Sequence, residues 1–306
     1  MDKLTFTAVS RNYFNLAIWV AKHRGMLADE GLDVAIELYE GVDEVTNRLR
    51  DGRAQIGYGI TEHVILDSEA GGFLEIVGDN VNRLPFSLIA GKRIKSFEDL
   101  RGKTVGVSSI QAGSSSLVMK LLAARGLNYP DDYKMRAVGP ILARWEMLQS
   151  GEIDAGLQGA PLNYIAVDQG FSSLCEPREE VPDFQFTSLN VDKRWAEANR
   201  DIMHRFMRAF VLAHEWFFAN RDGVTPIAVS ETGITEAYAL RAWDEYTRDA
   251  IFPRDGDAND AAVQALIEIS SLIRAVPNRT KSKGADYINR SYLHAAQRDI
   301  AGSPKI

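Results

Sequence analysis

The chain begins as an alternation of short apolar runs and amphipathic stretches. Residues 4–9 alternate apolar and polar positions, as a half-buried strand does. A polar and aromatic loop, SRNYFN, fills 10–15, and 16–24 carries helical spacing up to Gly25. Residues 32–38 alternate again and run into Tyr39-Glu40-Gly41. The spacing predicts a short amphipathic helix over 45–50, a strand over 55–60, and a helix capped by Thr61 that stops at Gly71-Gly72. A strand over 74–77 and a polar loop over 80–83 complete the run. Such β-α repetition predicts a parallel sheet covered by helices.

Residues 86–90 form a short apolar crossing, after which the rhythm restarts. KTVGVSSIQAGSSSLVMKLLAARG, residues 103–126, reads as strand, small-residue loop and helix, with Gly126 placed to end that helix. A strand over 134–138, a helix over 141–149, a strand over 153–157 and a helix started by Pro161 follow. EPREEVPD (176–183) is a polar connection, and 184–191 a last strand-like run. Beyond Asp192 the pattern becomes helical over 193–218, 235–250 and 258–273, with a short final helix near 287–293. Two β-α modules with two crossings between them predict a discontinuous lobe, 1–86 plus 190–306, and an inserted lobe, 87–189. A ligand cleft is expected between the two, at the carboxyl ends of the strands.

Composition narrows the function classes. The chain has 306 residues, 45% of them hydrophobic, so a sizeable core is available. A net charge of −7 with no basic block argues against nucleic acid as a partner. The single cysteine, Cys175, supports neither a disulfide framework nor a cysteine-rich metal site. The five histidines form no close metal-binding pair, so no metal and no cofactor is expected. No apolar run is long enough to span a membrane. No export signal is read in 14–21, because FNLAIWVA runs straight into Lys22, His23 and Arg24. The chain is therefore expected in the cytoplasm if Met1 is the native start, and outside it if a signal was removed.

Several positions carry candidate chemistry. A helix starting at Ser114 in a Gly/Ser loop offers unpaired N–H groups and a positive dipole end, which suits an anion; Ser108, Ser109 and Ser115 add hydroxyls. Asn12, Tyr13 and Asn15 follow the first strand, where binding residues collect. Arg11, Arg83 and Arg144 are cations able to fork onto a carboxylate, and Trp145 beside Arg144 is a candidate to face the cleft. Glu62 and His63 start a helix as polar lining. Ser109 and Ser114 lie in no G-x-S-x-G context.

In their order and spacing, the segments WVAKHRGMLADEGLDVAIELYEG, LRDGRAQIGYG, IKSFEDLRGKTVGV, SGEIDAGLQGAP and RFMRAFVLAHEWF resemble the type II periplasmic binding proteins. More narrowly, they resemble the NMT1/THI5-like group, which includes proteins for nitrate, taurine, sulfonates and thiamin precursors. The resemblance covers roughly 4–220. It implies an α/β fold of two lobes, each a mostly parallel sheet flanked by helices, with a helical C-terminal region. It also implies a monomer that captures a small, anionic organic molecule for an ABC permease, in the periplasm if a signal was removed. By position it adds Thr61, Asn82, Gln111, Gly113, Gln158 and Asn163 to the ligand-binding candidates. Where the group carries a Gly/Ser-rich loop after its second strand, this chain has the acidic Glu40-Gly41-Val42-Asp43-Glu44. An alternative is an enzyme on the same scaffold, such as a decarboxylase or lyase acting on a small aromatic or heterocyclic acid; a metabolite sensor is a third.

Overall fold

The computed structural model describes residues 1–110, 114–273 and 283–302. The first β-α run gives β1 (Asp2–Val9), α1 (Leu16–His23), α2 (Met26–Asp29), β2 (Leu32–Tyr39), α3 (Val42–Arg50), β3 (Ile56–Ile60), α4 (Thr61–Glu69) and β4 (Leu74–Val81). The second gives β5 (Phe86–Ala90), β6 (Thr104–Val107), α5 (Ser114–Ala123), β7 (Lys134–Ala137), α6 (Ile141–Ser150), β8 (Ala155–Gly159), α7 (Leu162–Asp168), β9 (Ser172–Cys175) and α8 (Pro177–Glu180). The chain then forms β10 (Thr187–Asp192) and the helices α9 (Lys193–Ala198), α10 (Arg200–Ala219), α11 (Arg221–Thr232), α12 (Glu236–Arg248), α13 (Asp260–Ser270) and α14 (Ser291–Gly302).

Two five-stranded sheets result, in the orders β2-β1-β3-β10-β4 and β7-β6-β8-β5-β9. In each, four strands point one way and one runs against them: β10 is antiparallel to β3 and β4, and β5 to β8 and β9. The reversed strands are the two that follow the crossings. The run 86–90, expected to be a mere crossing, is a fully buried strand of the second sheet. The run 184–191 enters the first sheet as β10. The crossings are bonded to each other, Phe184 N–H to the Asn82 carbonyl (3.0 Å) and Phe186 N–H to that of Val81 (2.9 Å).

Several local expectations change. Thr61 does not cap α4; its hydroxyl, fully buried, donates to Ser188 Oγ at 3.0 Å and ties the helix start to β10. The helix expected over 193–218 is broken at Asn199 into α9 and α10. Helix α11 carries Pro226 within it and was not expected. Residues 172–175, for which no element was expected, form the strand β9, which ends at Cys175.

The core follows the layers. Helix α10 packs against α1 and α14 beside the first sheet. Helix α13 packs against both α4 and α5, so a single apolar cluster holds Val64 and Ile76 of the first module, Leu117 and Leu121 of the second, and Val263 and Ile267 of α13. Among the described residues no helix is long and apolar enough to cross a membrane.

Candidate functional site

The carboxyl ends of the parallel strands meet across a cavity of about 230 Å³. The first module contributes Val9 at the end of β1, Asn12, Glu40 and Gly41 beyond β2, Val42 and Asp43 at the start of α3, and Ile60 at the end of β3. The second contributes Ser108 and Ser109 beyond β6, Ser114 at the start of α5, Gly139 and Pro140 beyond β7, Ile141 and Arg144 of α6, and Leu157 of β8. Phe86, Phe186 and Thr187, beside the crossings, complete the lining with Phe14. Phe186 meets Phe86 edge-on at 4.9 Å between ring centroids and Phe14 at 6.2 Å, so one wall is aromatic.

Arg144 is the cation of the site. Its residue is 3% exposed. The guanidinium donates to the Leu157 carbonyl (2.5 Å) and the Gly139 carbonyl (3.3 Å), and Nε has no partner among the described residues. Among the described residues no carboxylate pairs with it, and burial pulls its pKa down to about 10. The side chain reaches the cavity across two strand glycines. A Cβ on Gly156 would sit 2.7 Å from Arg144 Cδ, and one on Gly106 would sit 3.2 Å from its Cγ. Glycine inside a strand commonly marks such a close approach.

The serine loop is partly engaged with itself. Ser108 N–H donates to Ser114 Oγ (2.8 Å), Ser114 N–H donates to Ser108 Oγ (3.2 Å), and the two hydroxyls lie 3.1 Å apart. Two hydroxyls sharing one bond leave one hydroxyl hydrogen for a ligand. The starts of α3, α5 and α6 all border the cavity, and no side chain caps α3 or α6. Helix α3 carries Asp43 and Glu44 in its first turn; α5 and α6 have no acidic residue there.

Of the candidates read from sequence, Asn12, Ser108, Ser109, Ser114 and Arg144 border this cavity. Arg11 borders an adjoining cleft that shares Asn12, Glu40 and Ile141; it is held there by Glu231 at 2.9 Å. The others are placed elsewhere. Tyr13 is buried against Tyr246, with its hydroxyl 3.4 Å from the Ala239 carbonyl. Asn15 is buried and donates to the carbonyls of Val9 and Ser10, so it holds the loop rather than facing the cavity. Glu62 and Ser115 are buried in their helices, and His63 Nδ1 lies 2.9 Å from Thr46 Oγ1. Arg83 donates to the Asp249 carbonyl at 3.2 Å, and Asn82 accepts the bond between the crossings. Gln158 is fully buried; its amide, oriented to satisfy its neighbours, donates to the Ile141 carbonyl and accepts from Trp145 N–H. Asn163 donates to Ser87 Oγ at 3.2 Å and borders a different cleft, against α12. Gln111 and Gly113 lie outside the described residues. Trp145 turns away from the cavity to pack edge-on against Phe171. Cys175 is not among the lining residues, and burial pushes its thiol up to about 12.

Sequence reading passed over Phe86, Phe186, Gly139-Pro140 and Asp43 as lining, whereas the loops holding Phe14 and Glu40-Gly41 match by position those that line the cleft in the family. The acidic loop and the Gly-Pro turn after a strand were visible signals. Phe86 and Phe186 read as strand interior.

The model of the family described as NMT1/THI5 like matches residues 13–223. The chain belongs to that family. A 4-amino-5-hydroxymethyl-2-methylpyrimidine phosphate synthase of Schizosaccharomyces pombe is 27% identical over 184 residues, 59% of this chain and 51% of that protein. The chain thus spans about half the length of the curated relative it matches. Among solved structures, the periplasmic nitrate-binding protein of Synechocystis PCC 6803 aligns with a TM-score of 0.82 at 12% identity, covering 98% of this chain and 89% of that one. The alkanesulfonate-binding protein of Xanthomonas axonopodis pv. citri, bound to MOPS, aligns at 0.76 and 18% identity, covering 95% and 99%. This NMT1/THI5-like chain therefore has the two-lobed type II periplasmic-binding-protein fold, with a mixed five-stranded sheet in each half.

Proposed function

We propose that this chain is a substrate-binding protein, which captures a small anionic organic molecule between lobes 1–86/190–306 and 87–189 and delivers it, as a monomer, to an ABC importer. That role places it in the periplasm. The observation that carries the reading is Arg144, a buried guanidinium that borders the cavity and whose partners among the described residues are carbonyls. A buried cation without a counter-charge is costly, so an arriving anion gains both the Coulomb attraction and the remaining N–H donors. The starts of α5 and α6, which bring no acid of their own, add positive dipole ends on the same side. The cavity lies below the roughly 300–1,000 Å³ of pockets for drug-sized ligands, which favours a small sulfonate or carboxylate. The names of the nitrate- and alkanesulfonate-binding structures support the same chemical class.

The test is titration calorimetry with small sulfonates, carboxylates and nitrate on the parent protein and on Arg144→Gln, with mass spectrometry of each incubation. A charge-assisted bond of about 1.5–3 kcal/mol predicts a loss of roughly 10- to 150-fold in anion affinity for the variant. Unchanged affinity in a folded variant sinks the assignment. A ligand bound and then consumed moves the reading to an enzyme of this fold.

A further inference from the structure

The cavity has two unlike ends. On the second module's side stand Arg144, the serine pair and the starts of α5 and α6, all without a carboxylate in the first helical turns. On the first module's side stand Glu40 and Asp43. Glu40 accepts one bond from Ser10 Oγ at 2.7 Å, which leaves further acceptor sites on its carboxylate. Asp43 is 88% exposed and stands 3.8 Å from His63 Nε2. The rest of the lining is apolar: Phe14, Phe86 and Phe186 with Ile60, Ile141 and Leu157. A ligand that was only an anion would bring its charge into a cavity whose other wall carries two carboxylates, and like charges placed together disfavour binding.

Resting on the reading of the site as an anion-binding cleft, we infer that the ligand is dipolar: an aromatic acid whose acidic group meets Arg144 and the serine loop, and whose far end carries an ammonium or comparable N–H donor that meets Glu40 and Asp43. The ring between them faces the phenylalanine wall. The acidic pair selects against the plain anions that Arg144 alone would accept. Burying the ligand strengthens the selection, because removing water from the two carboxylates raises the value of a partner for them.

The probe pair is 4-(aminomethyl)benzoate, with both charges, and 4-ethylbenzoate, of nearly the same shape with only the acid. Binding is measured by calorimetry to the full chain, to Glu40→Gln, to Asp43→Asn and to the double variant. The single variants keep the test alive if the double one does not fold. The expected result is a preference for the dipolar compound of about five- to tenfold in the parent. That ratio falls to about one in the double variant, while 4-ethylbenzoate binds the double variant as well as or better than the parent. Equal binding of the two probes, or a ratio that survives the acidic substitutions, overturns the inference and leaves the anion cleft standing. Binding of nitrate or an alkanesulfonate through Arg144, with neither benzoate bound, does the same. Binding of no anion at all, or anion binding indifferent to Arg144→Gln, overturns the cleft reading as well.

Discussion

Gly156 has no side chain because Arg144 occupies the space one would need. The nearest approaches to a Cβ there are 2.7 Å to Arg144 Cδ, 3.1 Å to Arg144 Cγ and 3.2 Å to the Gly106 carbonyl. Gly156→Ala must therefore either shift a buried guanidinium off its two carbonyls or push β8 from β6. Overpacking of this kind costs about 1–3 kcal/mol. The expected outcome is a lowered urea midpoint together with weakened anion binding, since the same atoms serve both. Gly91→Ala, where the nearest contact is an ordinary 3.6 Å, should leave both unchanged and serves as the control. A Gly156→Ala protein that binds anions as tightly as the parent would show that Arg144 reaches the ligand by another route. This residue-scale detail divides what was legible in the sequence from what was not. Arg144 and Ser114 could be singled out, because a cation and a serine-rich helix start are chemical signals in themselves. Their setting could not: whether Gln158 faces the cleft or braces α6 depends on which way a buried amide turns. Tyr13 and Asn15 have the right chemistry on the right loop. Packing against Tyr246 and the loop's need for donors to the carbonyls of Val9 and Ser10 claim them instead.

At the scale of elements, apolar periodicity sufficed for most strands and helices of the two β-α modules, though not for the short α2, β9 and α8. It failed where pairing across the molecule decides the outcome. Residues 86–90 are five apolar-rich positions with no alternation, which a fully buried strand and a passing crossing share. Only the pairing with β8 and β9 separates the two. Helix α11 was hidden by Gly223 and Pro226, both poor helix formers. Tertiary packing offsets that propensity, since Val224, Thr225, Ile227 and Ala228 are buried. Helix α13 was visible from its spacing, but its role in bridging α4 and α5 was not. Its start is fixed by Asn259, whose side chain accepts from Ala261 N–H at 2.9 Å and Ala262 N–H at 3.3 Å. Asn259→Ala removes that cap and should destabilise the chain by about 1 kcal/mol in urea unfolding, whereas Asn259→Ser should recover most of it. Equal losses in the two variants would mean that the bond from Asn259 to Asp183, and not the cap, is what matters.

For the whole molecule, the two sheets repeat one strand order and exchange their reversed strands through paired crossings, so the lobes are joined at the strands that border the cavity. Helix α13 bridges the two modules, and α10 packs beside the first sheet. His214 of α10 is buried there, 2.8 Å from the Pro253 carbonyl through Nδ1, while Nε2 has no partner among the described residues. The ring is therefore held neutral with its proton on Nδ1, and burial pulls its pKa from 6.5 down to about 4. The consequence for stability has a definite sign. Between pH 6.5 and 4 the unfolded chain binds a proton at this histidine that the folded chain refuses, so stability falls as pH falls through that window. The contribution is complete above about pH 6.5. The loss amounts to about 3 kcal/mol by pH 4 from this ring alone. His214→Gln keeps an N–H donor for Pro253 and cannot titrate. Melting temperatures of the two proteins, followed from pH 7 to 4, should diverge, with the parent falling more steeply by several degrees. Carboxylates elsewhere titrate in both proteins and cancel in the difference. Parallel curves would mean that the ring accepts its second proton in the folded state, and that the packing of Phe210 and Phe252 around it is looser than their 4.5 and 6.1 Å ring contacts imply.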